Sequence, residues 1–71
     1  MIKLKSKLGR YIYLNVLNIV SVEQENNGYV RIERTCGKYT ETTEEFDVVV
    51  KKIEKMLIRI AGGERVQNPN Q

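Results

Sequence analysis

The stretch TTEEFDVVV, residues 42–50, divides this sequence into two parts. Before it, residues 1–41 alternate apolar and polar side chains with a period of two, which is typical of strands that bury one face. From residue 43 to residue 60 the apolar side chains follow a helical period instead. The sequence therefore predicts an α+β domain, in which an antiparallel meander of four to five strands is covered on one face by a single C-terminal α-helix.

The second part carries the signals of a helix. Thr42 and Glu45 match a capping box, in which each side chain accepts a hydrogen bond from the backbone N–H of the other residue. The apolar residues that follow form one stripe at helical spacing, made of Phe46, Val49, Val50, Ile53, Leu57 and Ile60. Gly62 is expected to end the helix in a left-handed conformation. The domain is thus predicted to span residues 1–62, with a disordered tail at 63–71.

The first part resolves into five short strands, predicted at residues 2–7, 11–14, 19–25, 29–35 and 39–41. Gly9 is expected to take a positive φ in the first turn. Asn26-Asn27-Gly28 is the strongest turn signal, because Asn-Gly suits a two-residue type I′ hairpin. A second hairpin closes at Cys36-Gly37-Lys38, and Cys36 itself is expected to be a small, half-buried sheet residue.

The alternation also assigns the two faces of the sheet. The residues expected to point inward are apolar: Ile2, Leu4, Ile12, Leu14, Val20, Val22, Val30 and Ile32. One helix covers only that face, so the opposite face stays open and becomes the candidate interaction face. It combines tyrosines with basic side chains, namely Lys3, Lys5, Tyr11, Tyr13, Tyr29 and Arg31, beside Glu33.

Three interpretations of this face remain open at the level of sequence. Tyrosine and arginine are enriched at the centres of protein interfaces. The same residue types stack on bases and pair with phosphates. Aromatic cross-strand pairs also stabilise a sheet without any partner.

Size and charge narrow the function further. The chain has 71 residues, of which 41% are hydrophobic and 30% charged, and its net charge is +3. A domain of this size is marginally stable alone, which favours a homo-oligomer. Residues 1–22 contain no acidic residue, whereas residues 23–47 hold seven acidic residues against three basic ones. No apolar stretch approaches the roughly 20 residues needed to span a bilayer, so we expect a cytoplasmic protein with no membrane partner.

Catalysis and metal binding are not expected. The sequence has no histidine and one cysteine, which excludes serine–histidine or cysteine–histidine pairs and the common zinc sites. Glu44, Glu45 and Asp47 are interpreted as charges that favour a helix start, because their carboxylates diverge around the turn. The sequence therefore predicts no enzyme, no cofactor and no metal site.

Short motifs resemble two protein families. MIKL at residues 1–4, Leu14-Asn15, IVSVE at 19–23, TCGKY at 35–39 and the glutamate-rich start of a Val/Ile-rich helix are similar to small FlbD/SwrD-type flagellar and swarming proteins, over about residues 1–57. The chain departs from that family with Leu8-Gly9 at the first turn and with Cys36, where Asn-Gly and asparagine are usual. This resemblance implies a cytoplasmic, non-enzymatic protein that supports flagellar function.

The second resemblance is to the first half of LytTR-type DNA-binding domains. It covers residues 19–23, the YVRI segment at 29–32, the Gly37-Lys38-Tyr39 turn and the helix. It implies nucleic-acid binding, although the second half of that domain has no counterpart here. We therefore predict a small bacterial protein-interaction or regulatory module, with a transcription-regulatory nucleic-acid binder or a phage or mobile-element accessory protein as alternatives.

Overall fold

The computed structural model describes residues 1–63. Five strands lead into one helix, with the bounds β1 Ile2–Lys5, β2 Tyr11–Leu14, β3 Ile19–Gln24, β4 Val30–Arg34, β5 Tyr39–Thr42 and α1 Phe46–Ile58. A 3-10 turn at Val16–Asn18 joins β2 to β3, and α1 continues as a π-helical turn over Arg59–Gly63. The α+β class, the antiparallel pairing and the C-terminal helix are confirmed. The predicted tail falls almost entirely on residues outside the described part.

The strands form two antiparallel ladders rather than the single sheet that the sequence predicted. One ladder is β1-β2 and the other is β3-β4-β5. A single bridge between Ser6 and Thr42 joins them, supported by the hydrogen bond from the Lys7 N–H to the Glu41 carbonyl at 2.8 Å. The predicted meander is interrupted between β2 and β3, because the 3-10 turn at Val16–Asn18 takes the place of a hairpin there. Contact with β5 is limited to the residues just beyond β1.

The short connection between β2 and β3 forces the two ladders to curl. With β1 beside β5, the strands β2 and β3 lie at opposite ends of the order β2-β1-β5-β4-β3. A flat sheet would separate them by four strand spacings, or about 19 Å. The connection from Leu14 to Ile19 includes a 3-10 turn and reaches roughly 13 Å. The ladders therefore bend toward each other and enclose one concave side.

All three hairpin loops have the same hydrogen-bond pattern. In the second, the Glu25 N–H donates to the Tyr29 carbonyl at 2.9 Å and the Gly28 N–H donates to the Glu25 carbonyl at 3.1 Å. This encloses three loop residues, and Gly28 is left-handed with φ 91°, as expected for a three-residue loop. The predicted two-residue type I′ turn is therefore wrong. Cys36 lies in the third loop and is exposed, not half-buried in the sheet.

The core lies on the concave side, under α1. Its buried apolar residues are Ile2, Leu4, Leu14, Val16, Val30, Ile32 and Val49. Ile12 and Val22, also predicted to point inward, are partly buried against it. Val20 is a correction, because it is 64% exposed. The register of β3 shifts between Ile19 and Ser21, and such a bulge turns the alternation at that point.

The predicted capping box is also wrong. Thr42 belongs to β5 and is fully buried. Its hydroxyl donates to the Lys5 carbonyl at 2.6 Å and accepts from the Glu44 N–H at 3.1 Å. The N-cap of α1 is Glu45, whose side chain makes no capping hydrogen bond. The threonine thus connects the two ladders instead of capping the helix.

Only the first half of the predicted helical stripe reaches the core. Val49 is fully buried, and Phe46, Ile53 and Met56 pack against the core. Leu57 and Ile60 are 42% and 40% exposed. The helical segment through Gly63 is about 27 Å long while β1 spans about 13 Å, so its last turns extend past the strands. Gly62 does not end the segment, because it lies inside the π-helical turn.

Candidate interaction surface

The outer side of the first ladder carries four of the predicted interaction residues. Lys3 pairs with Tyr13 and Lys5 pairs with Tyr11 in the register of β1 and β2. Since Ile2, Leu4 and Leu14 are buried on the inner side, the alternation places these four side chains outward. Tyr11 is 64% exposed and Tyr13 is 63% exposed. We call Lys3, Lys5, Tyr11 and Tyr13 the basic ribbon face.

The two lysines of the basic ribbon face gather around one aromatic ring. The Lys3 Nζ lies 4.6 Å and the Lys5 Nζ 5.9 Å from the centroid of the Tyr11 ring. Such cation–π contacts stabilise the pair and orient the ammonium groups. Within residues 1–63, no cation lies over the ring of Tyr13. That ring is therefore an exposed aromatic surface beside two oriented charges.

Among residues 1–63, no carboxylate forms an ion pair with these two lysines. Residues 1–22 also contain no acidic residue. Glu44 does approach β1, but it accepts a hydrogen bond from the backbone N–H of Lys5 rather than from its ammonium. The basic ribbon face is consequently a positively charged and aromatic surface.

The outer side of the second ladder has the same residue types in a different electrostatic state. We call its members the compensated face: Lys7, Tyr29, Arg31, Glu33, Tyr39 and Glu41. The Arg31 guanidinium carbon lies 3.8 Å from the centroid of the Tyr39 ring, and its Nη2 lies 3.4 Å from Glu33 Oε2. Lys7 Nζ lies 4.8 Å from the centroid of the Tyr29 ring and 3.2 Å from Glu41 Oε1.

Of the predicted interaction residues, Tyr29 and Arg31 therefore do not join the basic ribbon face. Both are half-buried. Arg31 is engaged by Tyr39 and Glu33 of its own ladder, and Tyr29 is engaged by Lys7 from the turn after β1. Three residues of these contacts were not predicted from the sequence: Lys7, which lies over Tyr29, Tyr39, on which Arg31 stacks, and Glu41, which pairs with Lys7. The alternation of Lys3, Lys5 and Lys7 along the chain was a usable signal for Lys7. The pairing of Glu33 with Tyr39 depends on register, which a pattern of alternation does not fix.

A carboxyl pair lies at the end of the compensated face. A hydrogen bond with Glu41, partial burial and the Glu41 charge raise the pKa of Glu25 above its ordinary value. Hydrogen bonds from Glu25 and Lys7 lower the pKa of Glu41, and the same Glu41 contact raises the pKa of Lys7. Oε1 of Glu25 is shielded from solvent and meets no donor. The nearby Glu41 carboxyl group and partial burial thus favour the protonated form of Glu25.

The acidic residues before α1 hold the helix to β1. Glu44 accepts from the Lys52 Nζ at 2.8 Å and from the Lys5 N–H at 2.9 Å. Burial alone raises the pKa of Glu44, but these two hydrogen bonds outweigh it and the pKa lies below its ordinary value. Among the described residues no three histidine, cysteine or acidic side chains come close enough to hold a metal ion.

Comparison of the chain with protein-family models, with curated proteins and with solved structures found no significant match. The resemblances to FlbD/SwrD-type proteins and to LytTR-type domains therefore stay predictions from sequence. No helix within residues 1–63 is both long and apolar enough to cross a bilayer.

Proposed function

We propose that this protein is a small, non-catalytic interaction module that contacts an acidic surface of another protein through the basic ribbon face. The observation that supports the proposal is the pair of exposed tyrosines, Tyr11 and Tyr13, beside two lysines that have no carboxylate partner in the part of the chain that the structure describes. Tyrosine supplies a large contact area for little lost side-chain entropy. Unpaired positive charge attracts an acidic partner and orients its approach.

A second copy of the chain fits this description of the partner. The compensated face and the adjacent Glu25 together carry three glutamates, Glu25, Glu33 and Glu41, against two basic side chains, Lys7 and Arg31, so this side of the second ladder keeps an acidic excess. Within the described residues, β2 and β3 each pair along one side only, so each offers a strand edge to another chain. The proposal therefore includes a homo-oligomer. A cytoplasmic setting and a flagellar or motility role, implied by the FlbD/SwrD resemblance, are part of the same proposal.

Sedimentation velocity across a wide concentration range tests the proposal, with Tyr13→Glu as the variant. A glutamate at this position adds negative charge next to Lys3 and removes the aromatic ring, so we expect self-association to weaken by about tenfold or more. The matched control is Leu17→Glu, because Leu17 is 62% exposed and Tyr13 is 63% exposed. We expect the control to associate like the wild type.

Two results would contradict the proposal. One is a wild-type protein that sediments as a strict monomer up to high micromolar concentration and shows no contact with an acidic partner. The other is equal weakening by Tyr13→Glu and Leu17→Glu, since this would place the interface elsewhere. Circular dichroism of both variants checks that each keeps the fold.

Nucleic-acid binding is the second candidate, because lysines and exposed tyrosines on a ribbon also bind phosphates and bases. It predicts an affinity for single-stranded or duplex DNA that falls steeply as salt rises, because phosphate contacts release counterions. The double variant Lys3→Gln/Lys5→Gln should then lose binding and show a shallower salt dependence. This candidate is removed if the wild-type protein binds neither single-stranded nor duplex DNA at low salt.

A further inference from the structure

A groove separates β1 from α1 on the other side of Lys3, away from the tyrosines. Its volume is about 260 Å³. The buried Ile2 and the half-buried Met56 supply apolar lining, and Met1, which is 67% exposed, also lines the groove. Three basic side chains of α1 and the turn after it complete the lining, namely Lys52, Lys55 and Arg59, Lys3 lines the groove on the side of β1, and no acidic residue is among the lining residues. We call this the β1–α1 groove.

We propose that the β1–α1 groove binds a short acidic peptide segment that inserts one apolar side chain. The site goes beyond the proposed function, because it uses α1 and the inner edge of β1 instead of the outer side of the ribbon. Its ligand is recognised by two features together. Carboxylates pair with the basic side chains, and an apolar side chain covers Met56 and Ile2.

One basic side chain of the groove, that of Lys52, is held in place before any ligand binds. The Lys52 Nζ donates to the Lys3 carbonyl at 2.9 Å and to Glu44 Oε1 at 2.8 Å. This fixes one ammonium group at the junction of helix and strand, and preorganisation lowers the entropy lost on binding. Lys52, Lys55 and Arg59 recur at helical spacing, so they line the same side of α1.

Most of this positive charge is not neutralised within the described residues. Lys3, Lys55 and Arg59 take part in none of the ion pairs there. Only Lys52 has a carboxylate partner, Glu44. Charge complementarity therefore calls for an acidic ligand with several carboxylates rather than one.

The shape and lining of the groove favour a peptide over other anions. An apolar lining gives no advantage to the phosphates of a nucleic acid, which bind through charge and hydrogen bonds. A membrane surface is broad, whereas the groove is a concave feature. Its volume of about 260 Å³ also lies below the roughly 300–1,000 Å³ that small-molecule sites occupy. An apolar side chain flanked by carboxylates fits this size.

A neighbouring depression supports a segment that continues along the helix. Its volume is about 430 Å³, and Lys52 and Lys55 line it as well as the β1–α1 groove. Val48 and Ile58, which are 40% and 70% exposed, give it apolar side chains. The two lysines therefore lie between the apolar lining of the groove and that of the depression, as expected of a surface that binds an acidic segment with spaced apolar residues.

Fluorescence anisotropy with a labelled peptide tests the proposal. The probe peptide has glutamates around spaced leucines. Two matched peptides replace either the leucines with serine or the glutamates with glutamine. We expect the probe to bind the full chain about tenfold or more tighter than either matched peptide, because each lacks one of the two features that the groove recognises.

Lys55→Glu is the variant, and Lys38→Glu, which makes the same charge change in the exposed third hairpin loop, is its control. We expect Lys55→Glu to weaken binding of the probe by about tenfold or more and Lys38→Glu by less than about twofold. Ile58→Ser and Leu8→Ser form a second pair, because both residues are largely exposed, at 70% and 78%. Of these two variants, only Ile58→Ser should lower the affinity for the probe peptide.

The result that would overturn the proposal is equal weakening by Lys55→Glu and Lys38→Glu, which shows a non-specific charge effect, or no binding of the probe. Tighter binding of vesicles containing phosphatidylglycerol, or of duplex DNA, with displacement of the probe, also overturns it in favour of that ligand. Tyr13→Glu separates this site from the proposed function. It should weaken contacts of the basic ribbon face and leave probe binding unchanged.

Discussion

The two ladders carry the same residue types on their outer sides but differ in charge compensation. On β1-β2, the ammonium groups of Lys3 and Lys5 both lie near the Tyr11 ring, and within residues 1–63 neither forms an ion pair with an acidic residue. On β3-β4-β5, Arg31 stacks on Tyr39 and also meets Glu33. The difference teaches that a tyrosine beside a cation is not a binding site by itself. The first ladder differs from the second because, within the described residues, its lysines on the outer side form no ion pair with a carboxylate.

The first prediction tests whether this difference is confined to the outer sides. Leu4→Ala in β1 and Ile32→Ala in β4 both remove a fully buried side chain from the common core. We expect each to lower the free energy of unfolding by about 2–5 kcal/mol, through lost burial and the cavity that remains. Urea denaturation followed by circular dichroism measures it.

The control for both variants is Val20→Ala, because Val20 is 64% exposed. It should change the free energy of unfolding by less than about 0.5 kcal/mol. A large effect of Val20→Ala would mean that the bulge in β3 does not turn this residue outward. A small effect of Leu4→Ala alone would mean that the first ladder packs separately from the second.

The second prediction concerns the connection between the ladders. Thr42→Val keeps the shape of the buried side chain but leaves the Lys5 carbonyl and the Glu44 N–H without the hydroxyl that each uses. We expect the free energy of unfolding to fall by about 1–3 kcal/mol. Thr42→Ser keeps the hydroxyl and should restore part of this loss. Equal stability of the valine and serine variants would contradict the role of the hydrogen bonds.

The third prediction, with the smallest effect, concerns the charges of the second ladder. The pKa of Glu25 is raised in the folded protein. As the pH rises past the ordinary glutamate pKa of 4.5, the unfolded chain therefore releases a proton that the folded protein still holds. The stability contribution of Glu25 therefore decreases as pH rises from that value through the raised pKa. Glu25→Gln can donate to Glu41 at every pH, so we expect a higher thermal midpoint than the wild type at pH 7.

This gain should shrink toward pH 4, where Glu25 is protonated in both the folded and the unfolded wild type. Thermal denaturation at a series of pH values measures it. Glu54→Gln serves as the control, since Glu54 is an exposed glutamate of α1 and does not contribute to the raised pKa of Glu25. A gain of the same size at all pH values would show that it does not come from titration of the carboxyl pair.

Much of the architecture could be predicted from the sequence because period two and period 3.6 report local geometry. The bounds of β2, the positive φ at Gly9 and the inward direction of Ile2, Leu4, Val30 and Ile32 follow from that pattern alone. The direction of Val20 did not, because a bulge adds one residue to a strand without changing its composition. Thr42 shows the same limit: its sequence context fits a helix cap, but its hydroxyl meets Lys5, 37 residues away in the chain.

The candidate surface divides in the same way. The sequence by itself determined that the first 22 residues lack carboxylates, that tyrosines and lysines alternate with core residues, and that no histidine is available for catalysis. Tertiary structure alone decided that, within residues 1–63, Arg31 and Lys7 form ion pairs with glutamates while Lys3 and Lys5 form none. It also decided that Lys52, Lys55 and Arg59 line one groove with β1. The physical reason is that hydropathy patterns encode which side of an element is buried, whereas ion pairs and grooves depend on distances between elements far apart in the chain.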